Sequence, residues 1–161
     1  MENFLFLCQQ ARPDILTGVA FLTTQVIETN EDNNKKLAHI LKYLSGTRDL
    51  VLTLESDDTG AVKWWVDSAI VVHRDMKSHT GRMMTMGQGA LYSAPKKQKV
   101  NTKSSTEADL VGVNDLISQI LRMRYFLEAQ GMKVHDNSVY QDNQNVMKLE
   151  KNGRLSSGKR T

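Results

Sequence analysis

The stretch VKWWVD, residues 62–67, is the key to this chain. Val62, Trp64, Trp65 and Val66 are strand formers, and the turn-rich cluster 56–60 stands just before them, so the spacing predicts a strand that runs into Asp67. Downstream, 73–81 reads as polar loop or turn, 82–86 as a second strand, 87–89 as a turn and 90–94 as a third strand. The longest helix follows. Ser104 lies three residues before Glu107, the spacing of a capping box, and Val113, Leu116, Ile117, Ile120, Leu121 and Leu127 supply its apolar face before Gly131 stops it. Residues 138–141 then read as a short strand, 143–151 as a helix and 152–161 as a polar tail. From Val62 the order is β-β-β-α-β-α, which places the chain in the α/β class.

Upstream the period is helical. Pro13 at a first helical position, with Asp14 behind it, starts a helix, and Ile15, Leu16, Val19, Leu22, Val26 and Ile27 carry its stripe to about Glu28. After a polar break at 29–34, Leu37, Ile40, Leu41 and Leu44 mark a second helix closed by Gly46, giving an αα-hairpin. Leu50, Leu52 and Leu54 alternate with Val51 and Thr53, which predicts a strand over 50–54.

Composition narrows the function classes. The 161 residues are 40% apolar and 24% charged, enough to bury a core. The longest apolar run near the N-terminus is residues 4–7, too short for a membrane span or a signal-peptide core. The single cysteine, Cys8, excludes a disulfide framework, suits a reducing, intracellular compartment, and reads as a small packed apolar residue. There are no repeats or sustained heptads. Net charge is +3, divided unevenly: residues 1–60 sum to −4 and residues 61–161 to +7. Such asymmetry points either to a polyanionic partner or to an ordinary solvated basic face.

Three carboxylates stand where chemistry could be done. Asp67 and Asp142 each end a predicted strand, and Glu107 opens the long helix. If the first and fourth strands of the sheet lie side by side, the two aspartates become neighbours and the helix N-terminus can bring Glu107 to them. Carboxylates gathered in this way repel one another unless a divalent cation neutralises them. Oxygen donors select Mg²⁺ or Mn²⁺ over zinc, and such ions support phosphodiester hydrolysis. Each residue also has a plain structural role open to it: Glu107 as the capping partner of Ser104, and the aspartates as strand-end or turn residues.

The stretches ARPDI (11–15), LKYLSGTRDLVL (41–52), DMKSHTG (75–81), KSSTEADL (103–110) and YQDNQ (140–144) occur in this order. Together they resemble the Pol polyprotein of copia-type LTR retrotransposons. The resemblance implies that residues 1–55 are the C-terminal end of the reverse transcriptase or connection region. It further implies that residues 60–161 are a ribonuclease H-like domain, a mixed sheet preceded here by the N-terminal helical hairpin. It gives Asp67, Glu107 and Asp142 as metal-binding carboxylates for Mg²⁺ or Mn²⁺. The implied activity is hydrolysis of RNA in RNA/DNA hybrids; the alternative is a catalytically inactive remnant that binds nucleic acid or other Pol segments. In the family a further strand, carrying another acidic or histidine candidate, follows SGKRT (157–161). The expectation is therefore that this chain lacks the C-terminal strand and is weak or inactive alone. Its implied partners are an RNA/DNA hybrid or duplex and the remainder of the Pol polyprotein, with no membrane. Ile70 and Val71 depart from the family pattern of an aromatic and a small residue.

Beside this set, Lys96, Lys97, Lys99 and Lys103 form a basic loop before the Glu107 helix, placed to hold phosphates or simply to face water. Ser78 and Thr80 are candidates for hydroxyl contacts to phosphate or a 2′-OH, or for turn formation. His39, His73, His79 and His135 lack metal-ligand spacing and read as isolated surface or loop residues.

Overall fold

The computed structural model describes residues 2–26 and 30–152. Its centre is β2 (Ala61–Ala69), paired antiparallel with β3 (His79–Thr85) and parallel with β7 (Asp136–Tyr140). The sheet is mixed, with strand order β5-β3-β2-β7, where β5 is Tyr92–Ser93; β6 (Lys96–Lys97) also pairs with β3. Parallel neighbours need a long crossover, and here it runs from β3 through the helix α4 (Ser105–Ala129) to β7. Helix α5 (Gln144–Asn152) follows β7 and packs Val146 into the core.

The alternation along β2 explains the packing. Val62, Trp64, Val66 and Ser68 are buried against α4, while Lys63, Trp65 and Asp67 face the other side. Val62, Trp64 and Val66 form the main core with Met84, Val113, Leu116, Leu127 and Val146. The Trp64 indole N–H, which would otherwise be costly to bury, donates to Asn137 Oδ1 at 2.9 Å. Ser104 caps α4 by accepting from the Glu107 amide at 3.1 Å, worth about 1 kcal/mol. Beyond its other end Gly131 takes φ +81°, the left-handed stop the sequence indicates. Gly112 lets α4 lie close on the sheet: a Cβ there would come 2.7 Å from Ser68 Oγ and 2.9 Å from Thr80 Cγ2.

The N-terminal part is a separate helical unit. Helix α1 (Glu2–Gln10), which the sequence reading did not identify, joins a 3₁₀ turn (Pro13–Ile15), α2 (Leu16–Thr23) and α3 (Glu31–Gly46). Cys8 is buried there with Ile15, Leu16 and Val19. Arg12 lies under the hairpin: its guanidinium donates to both oxygens of Asp14 (3.0 and 2.8 Å) and to the Thr47 carbonyl (2.9 Å). That contact holds the Asp14 carboxyl below the usual carboxylate range.

Several expected elements differ. No strand forms over 50–54; only β1 (Glu55–Ser56) pairs, with the two-residue β4 (Gly87–Gln88). An alternating pattern needs a sheet edge of matching length, and β4 offers two residues, so Leu50, Val51 and Leu54 stay exposed. Helix α2 ends at Thr23 rather than near Glu28, where the Thr23 and Thr24 hydroxyls bond back to the Ala20 and Phe21 carbonyls; residues 27–29 lie outside the described ones. Strand β3 begins at His79, inside the expected 73–81 loop. On α4, Ile117 and Leu121 are exposed, because the face toward the sheet is set by Ala108, Asp109, Gly112, Val113 and Leu116. The expected polar tail falls, from residue 153, outside the described residues.

Candidate active site

Register places the two strand-end acids. Trp65 and Tyr140 are partners in the parallel pair β2/β7, and their rings stack with centroids 5.1 Å apart. Asp67 and Asp142 each stand two residues beyond, and both are exposed on the wall of one cavity of about 590 Å³, along with Trp65, Tyr140 and Gln141. The side-by-side first and fourth strands that the sequence reading required are thus present.

Glu107 does not join them. Its Oε2 accepts from the Lys103 amide at 2.7 Å, and its own amide donates to Ser104 Oγ, so its carboxylate is occupied in closing the helix start. Glu107 is exposed and does not line the cavity that Asp67 and Asp142 share, and the reason is angular. Successive helix residues turn by about 100°, so once Ala108 and Asp109 face the sheet, Glu107 points out to solvent. The acid delivered by α4 is Asp109, which is only 4% exposed. Its Oδ1 accepts from the Ser68 amide at 3.0 Å, and the same amide donates to Asp67 Oδ1 at 2.8 Å. Its Oδ2 accepts from Asn143 Nδ2 at 2.9 Å, the residue next to Asp142. Asp109 is therefore tied to both strand ends. Sequence reasoning missed it although a signal was present: Asp109, Gly112, Val113 and Leu116 share the buried stripe, and an acid on such a stripe calls for a reason.

Beneath the acids lies a layer of buried hydroxyls and amides. Ser68 Oγ and Thr80 Oγ1 are 3.0 Å apart, and Gln98 Nε2 donates to Thr80 Oγ1 and to the Ala108 carbonyl, both at 2.8 Å. Ser78 Oγ and Thr102 Oγ1 are 2.7 Å apart. Ser78 and Thr80, expected as possible phosphate contacts, are 0% and 2% exposed. Their hydroxyls are engaged in this internal network, which through Gln98 ties α4 to β3.

Of the four loop lysines, Lys96, Lys99 and Lys103 are exposed. Lys97 is drawn into an ion pair with Asp75 at 2.9 Å, and Lys77 approaches the same carboxylate at 3.4 Å. Lys97 in particular holds Asp75 below the ordinary aspartate range. The histidine expectation is corrected in part. His73 and His79 are 3% and 6% exposed, with His73 Nε2 and His79 Nδ1 at 3.0 Å. Phe21 of α2 stacks on His73 with centroids 5.3 Å apart, so this pair lies where the helical unit meets the sheet. Burial lowers both, His79 to about 4, so at pH 7 the N–H of one neutral ring bonds the bare nitrogen of the other.

Among the described residues no three His, Cys, Asp or Glu side chains form a group able to hold a metal ion, and no helix is long and apolar enough to cross a membrane. The architecture is that of a mixed α/β protein with three aspartates at one end of its sheet. In sequence it resembles copia-type retrotransposon Pol polyproteins over most of its length. It is 28% identical over 142 residues, 88% of this chain, to the retrovirus-related Pol polyprotein from transposon TNT 1-94 of Nicotiana tabacum, covering 11% of that protein. It is 28% identical over 134 residues, 82% of the chain, to the Pol polyprotein from transposon RE2 of Arabidopsis thaliana, covering 9% of it. A putative transposon Ty5-1 protein of Saccharomyces cerevisiae is 27% identical over 73% of the chain and is covered over 39% of its length. The chain thus spans about a tenth of the two plant polyproteins. No protein-family model matches it, and no solved structure matches it significantly.

Proposed function

We propose that this chain is a Pol polyprotein segment whose α/β part is a ribonuclease H-like domain, a metal-dependent hydrolase of the RNA strand in RNA/DNA hybrids. The observation that carries the reading is the single Ser68 amide shared by Asp67 and Asp109, with Asn143 joining Asp109 to the Asp142 turn. Asp67 and Asp142 are then the acids open to an ion, Asp109 holds them in place from beneath, and Glu107 is a capping residue. Carboxylate oxygens are the donor type that Mg²⁺ or Mn²⁺ takes, and two of the three acids are exposed on the cavity wall. Bound there, the ion would neutralise charge on a phosphate and lower the pKa of a water. The protein's own part is positional. Asp109, buried and held through both oxygens, fixes the spacing of the strand ends, while Lys96, Lys99 and Lys103 offer exposed cations to the nucleic-acid backbone. The remainder of the Pol polyprotein is the natural partner, in an intracellular setting.

The test is cleavage of a labelled RNA/DNA hybrid in Mg²⁺ or Mn²⁺, by this chain and by a longer polyprotein segment that contains it. Cleavage should be abolished by Asp67→Asn and by Asp109→Asn and retained by Glu107→Gln. Cleavage that survives both aspartate changes would sink the proposal. One observation favours a second reading, a non-catalytic nucleic-acid-binding module: no three acids come within reach of one ion among the described residues. Salt-sensitive binding of the hybrid without cleavage in either chain would select it.

A further inference from the structure

A second cavity, of about 590 Å³, opens where the helical hairpin meets the sheet, with Thr17 lining both it and the cavity of Asp67 and Asp142. Its volume lies in the range of small-molecule sites. Phe21 and Leu22 of α2 and Ile40 of α3 form one side, and Ala69 of β2 with Val72 forms the other. These walls are apolar, and among the described residues no Asp or Glu lines them. Two basic side chains do: Lys36 and His39, three residues apart on α3 and so on neighbouring turns of one face. The Lys36 ammonium sits 5.0 Å from the centre of the Phe21 ring, folded over an apolar wall. His79 completes the lining, and its Nε2 is buried with no hydrogen-bond partner among the described residues. His73 takes its other ring nitrogen. Burial keeps His79 neutral near pH 7, so the positive charge in the lining is the Lys36 ammonium of α3.

An apolar chamber whose described lining carries a lysine ammonium and no acid suits an anionic head on an apolar body. We propose that this cavity binds a small apolar carboxylic acid, with its body among Phe21, Leu22, Ile40, Ala69 and Val72 and its carboxylate at Lys36 and His39. Because its walls come from both the hairpin and the sheet, an occupant fastens the two together. Occupancy therefore raises resistance to local opening at the seam, and the cavity becomes a point where a metabolite could stiffen the joint. The inference stands apart from the proposed hydrolytic centre and uses none of its residues.

The probes are 1-naphthoate and its neutral counterpart 1-naphthylmethanol, titrated calorimetrically into the full chain at pH 7.5, with the melting temperature followed in parallel. Naphthoate should bind once per chain, at least tenfold more tightly than the alcohol, and raise the melting temperature. Lys36→Met, an exposed position, should erase the preference for the acid. Ala69→Leu and, independently, Val72→Phe fill the chamber and should remove binding of both probes. The proposal is overturned by any of three results: no naphthoate binding to the folded wild type, equal affinity for acid and alcohol, or undiminished binding in a folded filled-cavity variant. If one filling variant fails to fold, the other and the Lys36 variant still decide.

Discussion

Acidification from pH 7 to pH 5 should loosen this protein through two buried histidines. His79 has its folded pKa lowered from 6.5 to about 4, chiefly by burial and then by the adjacent His73, which is itself lowered by burial and by Lys97. A histidine depressed in the folded state binds more protons when unfolded, so its contribution to stability is complete above 6.5 and is lost as pH falls toward 4. For His79 alone the full loss is roughly 3 kcal/mol, and at pH 5 it is already about 2 kcal/mol. His73 adds in the same direction. The charged groups around the pair cannot reverse this: Lys97 and Lys36 are cations, His39 lines the cavity beside His79, and Asp75 is engaged by Lys97 and Lys77. Carboxylates such as Asp14 and Asp75, whose pKa values are lowered, stay ionised at pH 5 and drop out of the comparison. In urea, a loss of about 2 kcal/mol moves the midpoint down by about 1 M. Unfolding curves at pH 7 and pH 5 for wild type and His79→Gln measure it. The wild type should shift by that amount and the variant by much less. A wild-type midpoint that does not move, or an equal shift in the variant, would refute the buried-pair argument. Because Phe21 stacks on His73, the first region to open should be the contact of α2 with the sheet, visible as early loss of amide protection there.

Four further outcomes are expected. In the hybrid-cleavage assay Asp109→Asn should cost at least a hundredfold in rate and Glu107→Gln less than threefold; the reverse order would restore Glu107 as the third acid. Gly112→Ala should lose about 1–2 kcal/mol by urea unfolding, since overpacking against Ser68 and Thr80 outweighs the better helix propensity. Arg12→Ala should cost about 2 kcal/mol and lower the melting temperature, because Asp14 and the Thr47 carbonyl both lose a partly buried donor. Replacing Lys96, Lys99 and Lys103 with Gln should weaken hybrid binding and reduce the slope of log affinity against log salt by about 2–3; an unchanged slope would mean that these lysines only face water.

Much of the α/β part was legible in the sequence because its signals are local. Period-two patterning around Trp64, the Ser104 cap and the Gly131 stop each correspond to a feature of the folded chain. What was not legible depends on partners distant in sequence. The alternating leucines at 50–54 found no edge to pair with, and helix α1 has a weak pattern of its own, ordered by packing Cys8 onto Ile15 and Val19. The site divides in the same way. Asp67 and Asp142 could be placed from strand ends, since a parallel neighbour fixes them both. Choosing between Glu107 and Asp109 required the rotation of α4 about its axis, which the close fit of Gly112 on Ser68 and Thr80 sets. His73 and His79, six residues apart, become partners only because the chain between them turns back at Met76, where φ is +60°.

The Ser68 amide has a genetic consequence. Two carboxylates from distant parts of the chain are aligned on a hydrogen that belongs to the backbone. No side-chain exchange at position 68 removes that hydrogen except proline, so an alanine scan would pass over the residue and report only the fate of its hydroxyl. Single-residue insertions or deletions in β2 would be far more damaging, because they shift which amide meets α4. For this end of the sheet, reading frame within the strand is under tighter constraint than the chemical identity of the residue that supplies the contact.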